Sequence, residues 1–539
     1  MRHTRFNIDT LTNGFLALCT LLFVVGCTHD LDISPKDPND FLADDFYTSP
    51  ESYKQGLAGV YGNLTLVSAF GPNESNIKGL DEGTSQYGRG FWNLQQLSTD
   101  EVKWSWENDS GTKELNRNIW SPDNPIIRGF FGRCMAQVAF ANEYLRQTSD
   151  EKLSARGVSG SILSDIATYR AEARFLRALA YYHMMDLFGK AGYITELSPV
   201  GFVQSPAYNR AKLFEFVEAE LTDILPALVA PNQNEYARAD KAAAWMLLAK
   251  IYLNANVYIN QDRNTDCITY CNKILDAGFK LSPNYLNLFK ADNDKNNGTI
   301  EIIFPIVSDG ITTQNWGPTT LMVNGQVGSI EQNGADFGVA NGGWNGALRV
   351  TRQFSEVFLN GPYTNDDRNT LITKNRTIDI LNIDDRSTGY IIGKWSNKTS
   401  LGTNGSTSEL VDTDFILFRL ADVYLMYAEA VLRGGSGGTT KQAVTYINEL
   451  RARANNAQRI AASDLTLDLI LNERLVELHW EGHRRQDLIR FGKYTGGAYN
   501  WNWKGNSPFG LSISNHLGLY PIPTISISAN PNLTQNTGY

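Results

Sequence analysis

Trp104-Ser105-Trp106-Glu107-Asn108-Asp109 places two indoles, two carboxylates and an amide within six residues. A sugar ring has an apolar C–H face and a rim of hydroxyls, so recognising one takes a flat aromatic under the face and carboxylate, amide or guanidinium groups at the rim. The hexapeptide supplies both. A second group, Asp292-Asn293-Asp294-Lys295-Asn296-Asn297-Gly298, sets oxygen ligands at alternate positions ahead of a turn glycine. That is the first half of a calcium loop without its closing glutamate, and the same pattern also serves as a solvated turn. A third group, Glu473, Glu477 and Glu481, forms a row along a helix and is joined by His479 and His483. Zinc helices need a glutamate beside the first histidine, whereas here the order is His479-Trp480-Glu481-Gly482-His483. The row therefore reads as structural, with Arg474, Arg484 and Arg485 neutralising it and Gly482 capping the helix. No serine elbow, phosphate loop or dinucleotide fingerprint occurs in the sequence.

The elements that position these groups are mainly helical. Ala171, Phe175, Ala178, Tyr182 and Met185 step by four and three along one helix face, while Arg170, Arg174 and Arg177 share another. Ala242, Trp245, Ala249 and Tyr252 repeat the idea, as do Leu420, Tyr424, Tyr427 and Val431. The first two segments lie 71 residues apart, which is about two 34-residue tetratricopeptide units. Partner helices are expected at 212–228, 267–277, 441–453 and 467–480. Residues 71–118 and 285–414 read as long Gly-, Asn- and Thr-rich loops with short β-like runs at 300–307 and 389–395. Long ordered loops carrying tryptophan are usually functional.

A net charge of −9 argues against nucleic acid or an anionic lipid surface, both of which want clustered Lys and Arg. The 11 Trp and 24 Tyr exceed what a core needs, and several stand in polar, Gly-rich settings. Arg2 and Arg5 precede an apolar run at 15–25 that is too short to cross a membrane. It ends in Val24-Val25-Gly26-Cys27, which resembles a bacterial lipobox. That assigns 1–26 as a removed signal peptide, Cys27 as the acylated first residue, and 27–539 as one large domain. After removal of Cys19 and acylation of Cys27, only Cys134, Cys267 and Cys271 remain, too few for a disulfide framework. Cys267 and Cys271 read as two thiols packed on one helix face.

Longer motifs carry a resemblance. They are Cys27-Thr28-His29-Asp30-Leu31-Asp32-Ile33-Ser34-Pro35, Asp81-Glu82-Gly83 with Thr99-Asp100-Glu101, and Asp186-Leu187-Phe188-Gly189 closing a long helix. Near the other end stand Glu481-Gly482-His483-Arg484-Arg485-Gln486-Asp487-Leu488-Ile489-Arg490-Phe491-Gly492 and Tyr520-Pro521-Ile522-Pro523. In these motifs the chain resembles the SusD/RagB family, its starch-binding members in particular. The resemblance implies a helical-repeat scaffold with a loop-rich ligand face. It also implies an outer-membrane surface lipoprotein that binds α-glucans without catalysis and passes them to a SusC-like TonB-dependent transporter. Asp30 and Asp32 resemble the surface-export signal of such lipoproteins.

By that resemblance Trp106 and Trp344 are walls of an aromatic cradle, Trp316 replaces a tyrosine platform, and Arg89 binds hydroxyls. Asp109 or Asn108 takes the place of a sugar-binding asparagine. It further implies that a structural calcium is held by Asp292, Asp294 and Asn296, with Asp412 and Asp414 completing the shell. Two other readings stay open: a fructan, other glycan or peptide for the same kind of transporter, and a glycoside hydrolase using Asp81 with Glu82 or Asp100 with Glu101.

Overall fold

The computed structural model describes residues 43–201, 204–328 and 333–539. The signal segment, Cys27, Asp30 and Asp32 lie outside them. The chain divides into a leading unit, Met1–Ser52, whose described part holds the helix Ala43–Phe46, and a main body, Tyr53–Tyr539.

In the main body the helical texture folds as expected. Helices α1 (Tyr87–Gln96), α2 (Pro125–Gln147), α3 (Ile162–Leu187), α4 (Arg210–Ile224), α5 (Lys241–Leu253) and α6 (Asn264–Leu275) are followed by α7 (Pro318–Gln326) and a last group. That group is α8 (Leu420–Leu432), α9 (Thr440–Arg453), α10 (Leu467–Leu478) and α11 (Arg484–Arg490). α2 begins where Asn124 accepts bonds from the Ile126 and Ile127 amides ahead of Pro125 at the first turn, and Asp240 caps α5 in the same way. The Ala171, Phe175, Ala178, Tyr182 and Met185 face of α3 is wholly buried. Its small residues let α3 lie closely between α2 and α4. α5 is buried on nearly every side and packs on α6; α6 packs on α8, and α8 on α9 and α10. The arginines of α3 mark its other face: Arg174 and Arg177 both reach Glu220 of α4. The Cys267 and Cys271 sulfurs are buried and 4.0 Å apart, as two packed thiols.

The described strands form two-stranded ladders only. β1 (Val102–Trp104) pairs antiparallel with β3 (Leu348–Val350), setting Trp104 opposite Leu348. β2 (Ile302–Ile306) pairs with β4 (Phe415–Arg419) through an irregular register. The run expected at 389–395 keeps Ile391–Ile392 in a ladder and Tyr390 in a bridge to Val350, while Lys394 reaches Glu481 in the interior. A larger difference is α1, which lies inside the stretch read as loop. Its glycines Gly88 and Gly90 depress helix propensity, yet both sit against neighbours, Pro318 and Phe130. Tertiary packing overrides the local signal.

Behind the ladders lies a buried ionic core. Arg419 meets Glu301 at 2.7 Å, Glu477 at 2.7 Å and Glu481 at 2.6 Å. Arg368 joins Asp366, Glu473 and Glu477; Arg451 pairs with Glu473; Arg453 pairs with Glu301 and Glu477; Lys394 pairs with Glu481. Five carboxylates and five cations thus neutralise one another out of water. Burial alone would raise the Glu477 carboxyl, but Arg453, Arg419 and Arg368 hold it well below the usual range. The glutamate row is structural, as expected, but with other partners. Arg474 instead binds Asp422 and Asp487, Arg484 binds Asp100, and Arg485 stacks on Tyr494 and Tyr520. Nor does Gly482 cap the helix. α10 ends at Leu478 with His479 as its cap, and Gly482 stands in the following turn at φ 84°. A side chain there would strike Phe91.

Two outcomes follow from this electrostatic design. Arg419→Met leaves the buried network one cation short, with Glu301, Glu477 and Glu481 each keeping only its remaining partners, so urea unfolding should show a loss of about 3–5 kcal/mol with an unchanged m-value. Burial would raise the Asp487 carboxyl, but Arg474 and Arg490 depress it to about 2. Its folded pKa lies below its unfolded value, so its contribution is full near neutrality and is lost as pH falls from about 4 through 2. Asp487→Asn should therefore flatten the stability curve across that interval, by about 2 kcal/mol, in denaturant titrations at stepped pH.

Candidate functional site

Four chain segments converge beside the β1–β3 ladder. Ser105 extends the ladder by donating its N–H to the Ala347 carbonyl at 2.8 Å, and the chain then turns, with the Asp109 N–H on the Trp106 carbonyl. This brings Trp104, Trp106 and Asp109 out at one end of the ladder. Trp344 arrives on the loop entering β3, where its N–H donates to the Asn324 carbonyl at the end of α7. Gly343 makes that approach feasible. It holds φ at 40°, and a Cβ there would meet the Val327 side chain and lie 3.0 Å from the Val327 carbonyl oxygen. Trp316 sits just before α7, its indole N–H 3.3 Å from the Asn73 amide oxygen. Arg89, in the first turn of α1, donates from Nη1 to the Trp316 carbonyl at 3.4 Å.

The indoles form an arc. Trp316 and Trp344 have ring centres 6.2 Å apart with planes inclined by 30°, and Trp344 and Trp106 lie 5.8 Å apart at 36°. All three are half-buried. Trp104 is 3% exposed and stands edge-on to Trp106 at 5.1 Å and to Trp344 at 5.7 Å. It is a strut that fixes two walls of the arc, and its N–H donates to Asp109 Oδ2 at 3.2 Å.

A cavity of about 380 Å³ opens over the arc, lined by the four indoles together with Arg89, Asp81, Glu82 and Asp109. Asp81 is fixed by accepting the Thr84 N–H at 2.7 Å. Burial lowers the Arg89 guanidinium from its ordinary range, opposed by the charges of Asp81, Asp109 and Glu82. Its buried Nε has no partner in the protein. Flat apolar faces, a guanidinium and three carboxylates together suit a molecule that is apolar on its faces and hydroxylated at its edge.

The structure brings together Arg89, Trp106, Asp109, Trp316 and Trp344. Asn108 is exposed and stands outside the cavity lining, so Asp109 occupies the rim position. Glu107 is turned aside into a pair with Arg117. Trp104, Asp81 and Glu82 were not expected as parts of the wall. The i, i+2 spacing of Trp104 and Trp106 was the available signal, since alternate residues of an extended chain face one way. Asp100 and Glu101 lie elsewhere. Asp100 is bound by Arg484 and Tyr499, while Glu101 accepts the Trp480 N–H and is pushed by burial up to about 8.

The five residues expected to hold calcium are engaged in bonds within the protein. Asp292 accepts from the Ser400 N–H and Oγ and from Asn296 Nδ2; Asp412 accepts from the Gly310 and Ser406 amides. Asp414 accepts from the Ser308 N–H and the Tyr236 hydroxyl, and burial, with Asp294 adding, pushes it up to about 7. Asp294 pairs with Lys295. Among the described residues no group of three or more His, Cys, Asp or Glu is arranged to hold a metal ion. Through these bonds Asp292, Asp412 and Asp414 tie segments distant in the chain to one another.

Two family models match the chain. One is described as the SusD family, over residues 341–539, and the other as starch-binding, associating with outer membrane, over residues 76–253. The starch-binding protein SusD of Bacteroides thetaiotaomicron is 34% identical over 96% of each chain. Among solved structures, a SusD homologue from Bacteroides thetaiotaomicron superposes with a TM-score of 0.70 at 20% identity, covering 92% of this chain and 98% of that one. The surface glycan-binding protein A of the same organism, solved with laminarihexaose, gives 0.66 at 21% identity, covering 90% of this chain and 99% of that one.

The arc's dependence on Gly343 is testable without any ligand. Gly343→Val should displace Trp344 and weaken the exciton coupling of the neighbouring indoles in circular dichroism while helical content is kept. An unchanged couplet would mean that the loop accommodates the side chain.

Proposed function

The chain belongs to the SusD family, and from that premise we propose that it is a non-catalytic lipoprotein of the outer-membrane surface. In this reading it captures α-glucans of the starch type and hands them to a SusC-like TonB-dependent transporter. Cys27 carries the acyl anchor. The observation that carries the glycan assignment is the arc of Trp316, Trp344 and Trp106, whose successive planes turn by 30° and 36° beneath a cavity walled by hydroxyl-binding groups. A turning surface follows a coiled glucan, whereas the flat ribbon of a β-1,4-glucan wants coplanar platforms. The 34% identity to a starch-binding protein favours the α-1,4 linkage among coiled glucans.

Stacking on hydrated sugars at an open site gives modest affinity. A Kd between millimolar and micromolar corresponds to about −4 to −8 kcal/mol. Weak holding suits a relay, because the ligand must leave again for the channel. The absence of catalysis is supported by the roles of the carboxylates. Asp100 and Glu101 are engaged in the protein interior, and Asp81 and Glu82 are neighbours in the chain that both act on Arg89.

Calorimetric titration of the signal-less protein with maltoheptaose, a cyclodextrin and cellohexaose tests this. The α-glucans should bind and cellohexaose should not, and Trp106→Ala with Trp344→Ala should lower α-glucan affinity at least about tenfold, or 1.4 kcal/mol. Equal binding of cellohexaose, or an unaffected double variant, would remove the proposal.

A further inference from the structure

Three carboxylates, Asp81, Glu82 and Asp109, and a single guanidinium, Arg89, are the charged groups lining the indole cavity, giving it a net charge of −2. Elsewhere in the protein carboxylates near the site are compensated: Glu107 by Arg117, Asp100 by Arg484. These three are not. Among the described residues none of them lies within ion-pairing distance of a cation, and their only fixed partners are neutral donors, the Thr84 N–H for Asp81 and the Trp104 indole for Asp109. All three nevertheless act on Arg89 through space, so they surround it without closing on it. The one cation in the cavity is already offset by its neighbours, and a ligand carboxylate or sulfate arriving there meets excess negative charge from the exposed Asp81 and Asp109 and the half-buried Glu82, a repulsion that salt screens.

We propose that this unpaired carboxylate rim is a charge filter. The site accepts neutral glycans and rejects polysaccharides bearing uronate or sulfate groups. The inference rests on the glycan-binding reading above and narrows its substrate class. Its selectivity arises from repulsion of the wrong ligand as much as from attraction of the right one. The hydroxyls of a neutral sugar donate to Asp81, Glu82 and Asp109 and accept from Arg89, so the same atoms that exclude an anion orient a neutral chain.

The test has two arms. In the first, calorimetry compares maltoheptaose, and separately laminarihexaose, with the same oligosaccharides partly oxidised at C6 to uronates, at low and high salt. The neutral chain should bind at least about tenfold tighter at low salt, and the gap should narrow as salt rises. It should close in Asp81→Asn, Glu82→Gln, Asp109→Asn, where both asparagines keep an amide oxygen for the Thr84 and Trp104 donors. In the second arm, which needs no sugar, tryptophan fluorescence is quenched with caesium and with iodide. The half-buried indoles of the wild type should favour caesium over iodide, and the triple variant should lose that preference. Oxidised and neutral chains binding alike, or identical quenching ratios in wild type and variant, would overturn the filter. If no neutral glucan binds, the proposed function fails, and the quenching arm still decides whether the rim is charged as inferred.

Discussion

Burying ten charges is tolerable only when each is matched, and that requirement organises the main body. Arg419 ends β4, Glu301 precedes β2, Arg451 and Arg453 end α9, and Glu473 and Glu477 lie on α10, so a single network welds elements far apart in the chain. Such pairs contribute little net stability over an apolar core, but losing one partner is severe. Their effect is on geometry: each carboxylate accepts from guanidinium groups whose forks admit few orientations. The network also reaches the site. Glu481 is held by Arg419 and Lys394, which fixes the turn that carries Trp480. The Trp480 carbonyl accepts the Trp92 indole N–H at 3.1 Å, and Trp92 belongs to α1, the helix whose first turn presents Arg89.

The ligand face is made rigid differently. There the positions of half-exposed rings are set by a ring that is not exposed, Trp104, and by backbone bonds from Ser105 and Trp344 to the opposing segments. Because the strut contacts two walls edge-on, the inclination between them is a packing property of the protein and does not await a ligand. Preorganisation of this kind lowers the entropy lost on binding, which matters where each contact is weak.

The sequence made the scaffold readable because the Ala and aromatic stripes of α3, α5 and α8 follow helical spacing; the α3 stripe is answered by burial on that face, while α5 and α8 are buried on other faces too and leave Trp245, Tyr424 and Val431 half-buried. It did not reveal α1, where glycines needed for contact with Pro318 and Phe130 imitate a loop. Family likeness located Arg89, Trp106, Trp316 and Trp344, yet their convergence depends on long-range pairing that no local pattern encodes. The partners of Glu473, Glu477 and Glu481 were misread for the same reason. Nearby arginines on the same helices looked sufficient, while the cations that reach them come from Arg368, Arg419, Arg451 and Arg453. Trp104 differs, since its spacing from Trp106 was visible and only its burial was not.

The β1–β3 ladder sets Val102 opposite Val350, a separation of 248 residues. Closing so large a loop is entropically costly and is repaid only once both segments have something firm to dock on. The ladder must then be among the later pairings to form, after local helix pairs such as α3 with α4 have assembled. Until it does, the indoles of the first segment lack their counterparts and present sticky apolar surface to whatever surrounds the chain. The ligand face is therefore a timer as well as a platform: its completion requires two segments 248 residues apart in the chain to have found each other.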